Sequence, residues 1–436
     1  MDLRLQCSEK SKEELIDLVI EKEEKIKELE RELKKYKNSN TPSSSNKHIK
    51  PDTLGLKAKS GAKRGAPVGH HGATLQLPNP EEIIPVLAQE CFHCGSENIE
   101  PTGYTKTRKI IHLIKPRTIV KEYQQQEIRC LDCHKLTLAN HGDIPEKGIY
   151  DKTIQSLVNY LKFKARLPHN LVVDSMNKIF NVPMTDATSL DITRRVSKKL
   201  EPQYEELEKQ IKQQNVVNAD ETSHSVNGVN HWIWVFCNHL LSLFKFNKER
   251  GGDIIEETLG KNFQGILGSD GWRTYTSYSK ENKVRLQRCL AHAEREVKFE
   301  CKQKHPDLYK WFCDIYVLAR KGRQYKQEKR RQDIFEKCKA ELSMWITLAK
   351  AHRNLRKLAT KIENGGESWF TAVLYPEAPL DNNEAERSLR PFVIIRKIIG
   401  CLRSEVGKRN YEVMMSLIST WQKQQKNVFY MLEASL

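Results

Sequence analysis

Multidomain α+β is the fold class the sequence predicts, and three observations predict it. The chain has 436 residues, more than one hydrophobic core of ordinary size needs. Its apolar pattern changes from a heptad repeat near the N-terminus to strand-like runs after residue 215, then returns to helical spacing beyond residue 292. Its formal charge of +17 is segmented: 38–74, 151–200 and 293–380 carry +5, +5 and +7, and 381–436 carries +3, while 1–37, 75–150 and 201–292 each carry −1. Basic modules around near-neutral ones suit a polyanion gripped from several sides. No run approaches the roughly 18 apolar residues of a membrane helix. The charged N-terminus has no signal-peptide core, and eleven cysteines, an odd number, point to a reducing cytosol.

Residues 1–37 read as a coiled-coil helix. Leu15, Val19, Lys22, Ile26, Leu29, Leu33 and Tyr36 alternate spacings of four and three, which keeps one stripe facing a partner. Ser11 with Glu14 forms a capping box at its start. A solvated helix packed on its own chain is the alternative. Residues 38–74 follow as a basic flexible linker, too polar to bury a core. Lys63 and Arg64 lie among its glycines, either as an arm on a nucleic-acid backbone or as a solubilising tether.

Residues 75–150 form a zinc-ribbon-like segment. Cys91-Phe-His-Cys94 and Cys130-Leu-Asp-Cys133 each offer two thiolates from one tight turn, and four thiolates close a tetrahedral structural Zn2+ site. His93, His112 and His134 are alternative ligands, and a redox disulfide pair is the competing reading. Between the pairs, Ile110–Val120 and Tyr123–Ile128 are expected to be strands. Residues 151–212 are helical, with a break at 181–185 where Thr185 can cap a second helix carrying Arg194, Arg195, Lys198 and Lys199. A helix, a turn and a basic helix resemble a helix-turn-helix, which puts Arg194 and Arg195 on DNA; a hairpin packed on the core is the alternative.

From residue 213 the pattern is that of an α/β core. Val216–Thr222 is a strand ending in Asp220 and Glu221, and His231–Cys237 is a strand apolar on both faces. Leu240–Phe246 is a third strand and Gly252–Leu259 a helix. Gly265–Trp272 is a short strand ending in Asp270, and Leu286–His292 is a fifth strand running into a helix. Three strands, a helix, a strand, a helix and a strand is the ribonuclease-H-like order. Residues 293–380 are a basic helical insertion, facing either DNA or solvent.

Two aspartates at strand ends call for a cation. Mg2+ (or Mn2+) takes one or two carboxylates plus substrate phosphates, and a two-metal site needs about three converging carboxylates. The helix start Asp381-Asn-Asn-Glu-Ala-Glu386-Arg-Ser-Leu-Arg390 supplies the third, with Asp381 or Asn382 as its cap. Glu384 and Glu386 are about 200° apart on a helix, so one faces the metals; Glu386 shares its face with Arg390 at i+4. Glu221 and Asp253 are rival ligands. His292 is either a proton-transfer aid or a structural histidine.

These residues resemble the transposases of the insertion sequence 66 family, a branch of the Asp-Asp-Glu transposases, over nearly the whole chain. The matching elements are the coiled coil, the Ser/Asn/Lys linker and the paired cysteines. They continue with Ala-Asp220-Glu-Thr, Ser-Asp270-Gly-Trp with Tyr275 and Tyr278, Cys289-Leu-Ala-His292-Ala, and Asp381-Asn-Asn-Glu-Ala-Glu386-Arg with Arg390, Arg396 and Lys397. After Arg396-Lys397 this chain has Ile398-Ile399 where the family often has Asn-Trp, which alters DNA-end contacts there but not the acids. The resemblance implies a catalytic triad of Asp220, Asp270 and Glu386 holding divalent metal. It also implies cleavage at terminal inverted repeats of double-stranded DNA, strand transfer into target DNA, contact of Arg390, Arg396 and Lys397 with DNA, a homo-oligomer, companion proteins of the same element, no membrane, and a bacterial cytoplasmic location near the nucleoid. A non-catalytic zinc-containing DNA-binding regulator or inactivated transposase, and a nuclease or resolvase of branched DNA, are the alternatives.

Overall fold

The computed structural model describes residues 21–26, 28–29, 79–91, 93–111, 116 and 118–436. Lys63 and Arg64, His112, and most of the heptad seam lie outside them. Residues 21–26 and 28–29 are helical, with Ile26 and Leu29 exposed. The chain divides into two compact units, 1–115 and 116–436, and the division falls between the two cysteine pairs.

In the first unit Cys91 heads a tight turn: its N–H bonds Ser96 O and its own carbonyl accepts from Gly95, whose φ is +72°. In the second, β1 (Glu127–Arg129) pairs antiparallel with β2 (Leu136–Leu138), and Cys130 and Cys133 sit in the turn between them. Of the ribbon strands expected at Ile110–Val120 and Tyr123–Ile128, none forms among the described residues of the first, and the second forms only from Glu127, continuing to Arg129. The β-branched residues there have no covering layer, since Ile110, Ile119 and Val120 are exposed.

Helices α1 (Lys152–Asn159), α2 (His169–Lys178) and α3 (Asp186–Lys212) follow, with a π-helical turn at Tyr160–Lys164. Asp151 caps α1 by accepting from Ile154 N, and Thr185 caps α3 by accepting from Thr188 N. One face of α3, from Ile192 through Val196, Leu200, Tyr204 and Leu207 to Ile211, is buried, and it packs against helix α12, described below.

The sheet order is β5-β4-β3-β6-β7, with β3 (Val216–Val226), β4 (Val229–Cys237) and β5 (Ser242–Asn247) antiparallel and β6 (Ile266–Ser269) and β7 (Arg285–Arg288) parallel to β3. The β3–β4 hairpin turns on Asn227-Gly228, both at positive φ (49° and 78°), the two-residue turn that matches strand twist. Helix α4 (Asp253–Leu259) precedes β6, and α5 (Arg273–Glu281) joins β6 to β7. The fifth strand is shorter than expected: it ends at Arg288, and Leu290 already begins α6 (Leu290–Cys301), so His292 is helical.

Helices α6, α7 (Pro306–Gly322), α8 (Glu328–Ala351), α9 (Arg356–Glu363) and α10 (Thr371–Leu374) close around Phe312, Ile315, Phe335, Trp345 and Phe370, a core separate from the one under the sheet. Helix α11 (Asn383–Ile399) then returns to the sheet, and β8 (Cys401–Leu402) adds to β3 at Ser225–Val226. Helices α12 (Glu405–Lys423) and α13 (Val428–Ala434) end the chain. On α12, Glu412, Ser416 and Thr420, spaced one turn apart, accept from the N–H groups of Phe246, Phe244 and Ser242 at 2.7, 2.8 and 3.0 Å. That ladder closes the open edge of β5, which otherwise would template pairing with another chain. Among the described residues no helix is long and apolar enough to cross a membrane.

Candidate active site

The site grows from a register. β3 and β6 pair in parallel with Asn218 opposite Gly268, and there the pairing stops. Two residues further along each strand direction come Asp220, still within β3, and Asp270, the first residue past β6, near enough that the charge of Asp270 raises Asp220. This is where β3 borders antiparallel neighbours on one side and parallel ones on the other, the kind of crevice beyond strand ends that binds ligands in open α/β sheets.

Helix α11 is fixed against that crevice by Asn382. The residue is fully buried, its Nδ2 donates to Ala219 O at 2.9 Å, and its N–H reaches Cys289 Sγ at 3.2 Å. Asn382 takes the N-cap position, its carbonyl accepting from Glu386 N at 3.2 Å, but its side chain makes no capping bond because its amide is spent on β3; Asp381 Oδ1 accepts from Asn383 N at 3.1 Å. Cys289, buried and pushed up to about 11 by desolvation, serves this joint as a neutral thiol.

The acids differ in what surrounds them. Asp220 is held well above the ordinary carboxylate value by burial, then by the negative charges of Glu221, Asp270 and Glu386. The Glu221 N–H, 3.0 Å from Oδ1, opposes that rise. Asp270 Oδ1 accepts from Trp272 N at 2.9 Å. Among the described residues, neither Asp220 nor Asp270 forms an ion pair, whereas Glu221 and Glu384 are taken. Glu221 Oε1 binds Arg250 at 2.6 and 2.9 Å and its Oε2 accepts from the Tyr275 hydroxyl at 2.5 Å. Glu384 binds Lys423 and Arg387, both at 2.8 Å; burial opposes its charge, but those two cations hold it below its ordinary value. Glu386 Oε1 meets Arg295 at 3.1 Å and His292 Nε2 at 3.4 Å, both from α6. His292 is lowered by burial and then by Arg295, and its Nδ1 is buried without a partner among the described residues.

Three carboxylates thus share one electrostatic environment, although among the described residues no three histidine, cysteine, aspartate or glutamate side chains stand as a ready-made ligand set. A hard divalent cation fits the donor chemistry: half-buried oxygens with excess negative charge and, among the described residues, no ion pair on either aspartate.

The other expected residues are scattered. Arg194 is exposed and pairs with Asp191 at 2.7 Å. Arg195 is largely buried, bonding Asp191 and the Lys147 carbonyl. On α11, Arg390 and Lys397 are exposed, whereas Arg396 turns inward to the Ser223 carbonyl and hydroxyl. In the basic run of the insertion, Arg323 and Arg331 bond the Pro376 and Leu374 carbonyls, leaving Lys321, Lys326, Lys329 and Arg330 to solvent. Cys91 is drawn down by the amides of His93 and Cys94, and Cys130 by those of Cys133 and Asp132, so the two knuckles share one local chemistry. Arg250 and Arg295 carry no local signal in the sequence, because Glu221 and Glu386 lie 29 and 91 residues away from them.

Fold and site together define an α+β protein with a half-buried acidic cluster beyond the last pair of two parallel strands. The family model described as "Transposase IS66 family" matches residues 147–410, more than half of the chain. The chain belongs to the IS66 family of transposases. No curated protein matches it.

Proposed function

We propose that the protein is an Asp-Asp-Glu transposase with a ribonuclease-H-like core, which cleaves phosphodiesters at the ends of its element and joins the freed 3′-hydroxyl to target DNA. The observation that carries this reading is the gathering of three acids beyond the last β3–β6 pair, where the charges of both Asp270 and Glu386 raise Asp220. Asp220, Asp270 and Glu386 would hold Mg2+ or Mn2+; bound there, such ions activate an attacking oxygen and stabilise the leaving one.

The remaining roles belong to the chain itself. Asn382 keeps Glu386 one turn from the crevice. Arg295 and His292 hold the Glu386 carboxylate in a single orientation. Arg390 and Lys397, exposed on the same helix, are set to meet phosphates, as are the free cations of the insertion. No covalent protein–DNA intermediate is needed. Each cysteine pair is proposed as a two-thiolate contribution to structural Zn2+ binding. Double-stranded DNA ends and target DNA are the proposed partners of a cytoplasmic homo-oligomer.

The test is cleavage of a duplex carrying the inverted repeats that flank the reading frame, with Mg2+ or Mn2+. Asp220→Asn, Asp270→Asn and Glu386→Gln should each lose cleavage but keep end binding. Glu384→Gln, which removes a carboxylate already neutralised by two cations, should stay within about threefold of wild type. Metal-dependent cleavage retained in Glu386→Gln would sink the assignment.

A further inference from the structure

Beside the acidic cluster lies a second arrangement that none of the roles above uses. Arg250, in the loop after β5, places its guanidinium 4.6 Å from the Trp232 ring centroid and 4.0 Å from that of Trp272. Its Nε and Nη2 both reach Glu221 Oε1, and the Glu221 side chain is 1% exposed. The other Glu221 oxygen takes the hydroxyl of Tyr275, a fully buried residue of α5.

Arg250 and Tyr275 thus meet on the buried Glu221 carboxylate, and Trp232 and Trp272 both lie against the arginine. Glu221 follows Asp220 on β3, and Trp272 donates its N–H to Asp270. Arg250 is therefore a bridge between the strand that carries one aspartate and the loop that carries the other. A planar, permanently charged guanidinium can bond a carboxylate along its edge while both faces stack on indoles; an ammonium cannot do both. The bridge also has an electrostatic consequence. Glu221 is a source of the negative field on Asp220, and Arg250 is its ion-pair partner. Without Arg250, a buried carboxylate would stand uncompensated beside the cluster, free to compete for a cation or to distort the strand.

We propose that Arg250 is a positioning residue for the strand-cleavage reaction: by neutralising Glu221 between Trp232 and Trp272 it holds the Asp220 strand and the Asp270 loop in register. This rests on the transposase reading above. The experiment uses the full-length protein, the end duplex and Mn2+, and measures cleavage, end binding and thermal unfolding for wild type, Arg250→Met, Glu221→Gln and the double variant. Arg250→Met should lower the cleavage rate about 10- to 100-fold at saturating DNA, as a small misplacement of reacting groups does, with end binding unchanged. The double variant, in which no buried charge is left without its partner, should recover most of that loss. Arg250→Lys should not recover it, because it cannot stack and fork together. A double variant no better than Arg250→Met, or an Arg250→Met protein as active as wild type, would overturn the proposal while leaving the transposase reading intact. A folded wild type with no metal-dependent cleavage would overturn that reading and this role with it.

Discussion

Asn382→Ala probes the joint between the glutamate helix and the aspartate strand. The side chain is fully buried and its Nδ2 is the donor to Ala219 O, whose neighbour in the chain is Asp220. Its removal leaves that carbonyl short of a donor where water does not reach, at a cost of about 1–3 kcal/mol. A smaller gain offsets part of this, because Asn382 Oδ1 is already buried without a donor among the described residues and disappears with the side chain. The net loss should be about 1–2 kcal/mol, and at about 2–4 °C per kcal/mol for a domain of this size the midpoint should fall by about 2–8 °C. Activity should suffer more than stability. Glu386 sits one helical turn from the lost bond, and a displacement of about 1 Å can cost on the order of 100-fold in rate. Thermal unfolding followed by circular dichroism, run beside the end-cleavage assay, measures both. A variant that melts lower but cleaves at the wild-type rate would show that the helix is held by other contacts and would refute the reasoning.

Two further outcomes follow from the same geometry. Asp220 has a folded-state pKa above its ordinary value of 3.8, so its contribution to stability is complete below that value and is lost as pH rises through the raised one. In chelator, Asp220→Asn should therefore melt higher than wild type at pH 7, by an amount equivalent to about 0.5–2 kcal/mol, and the difference should vanish near pH 3; an unchanged or lower midpoint at pH 7 would contradict the carboxylate crowding. Arg390→Ala and Lys397→Ala should each weaken end binding and reduce its salt dependence by about one counterion without changing the melting temperature. Arg396→Ala, which frees the Ser223 carbonyl and hydroxyl, should lower the melting temperature instead, and a purely DNA-binding phenotype for it would reverse that division.

The elements that read correctly in the sequence are those with a local signal. Apolar runs with turn residues between them located β3 to β6, and the Asn227-Gly228 pair is the kind of turn two right-twisted strands select. Thr185 announced the start of α3 by its chemistry. The misjudged elements lacked a layer to pack on or were cut short by a neighbour. Ile110, Ile119 and Val120 are of the β-branched type that strands favour but remain exposed. β7 ends at Arg288 because Cys289 turns the chain into α6.

What the sequence determined by itself is therefore the order of strands and helices, the positions of Asp220 and Asp270 after short apolar runs, and an acidic helix start at residues 381–386. Periodicity and turn chemistry are properties of neighbouring residues, and they survive without a fold. Which carboxylate is spent and which is left was decided only by tertiary structure. Glu384 is taken by Lys423 from α12, Glu221 by Arg250 from the loop after β5, and Glu386 is met by Arg295 from α6. Those cations lie 29 to 91 residues from their partners. At such separations no local spacing marks a pair, and only the packing of the sheet and its helices gives each acid its neighbour.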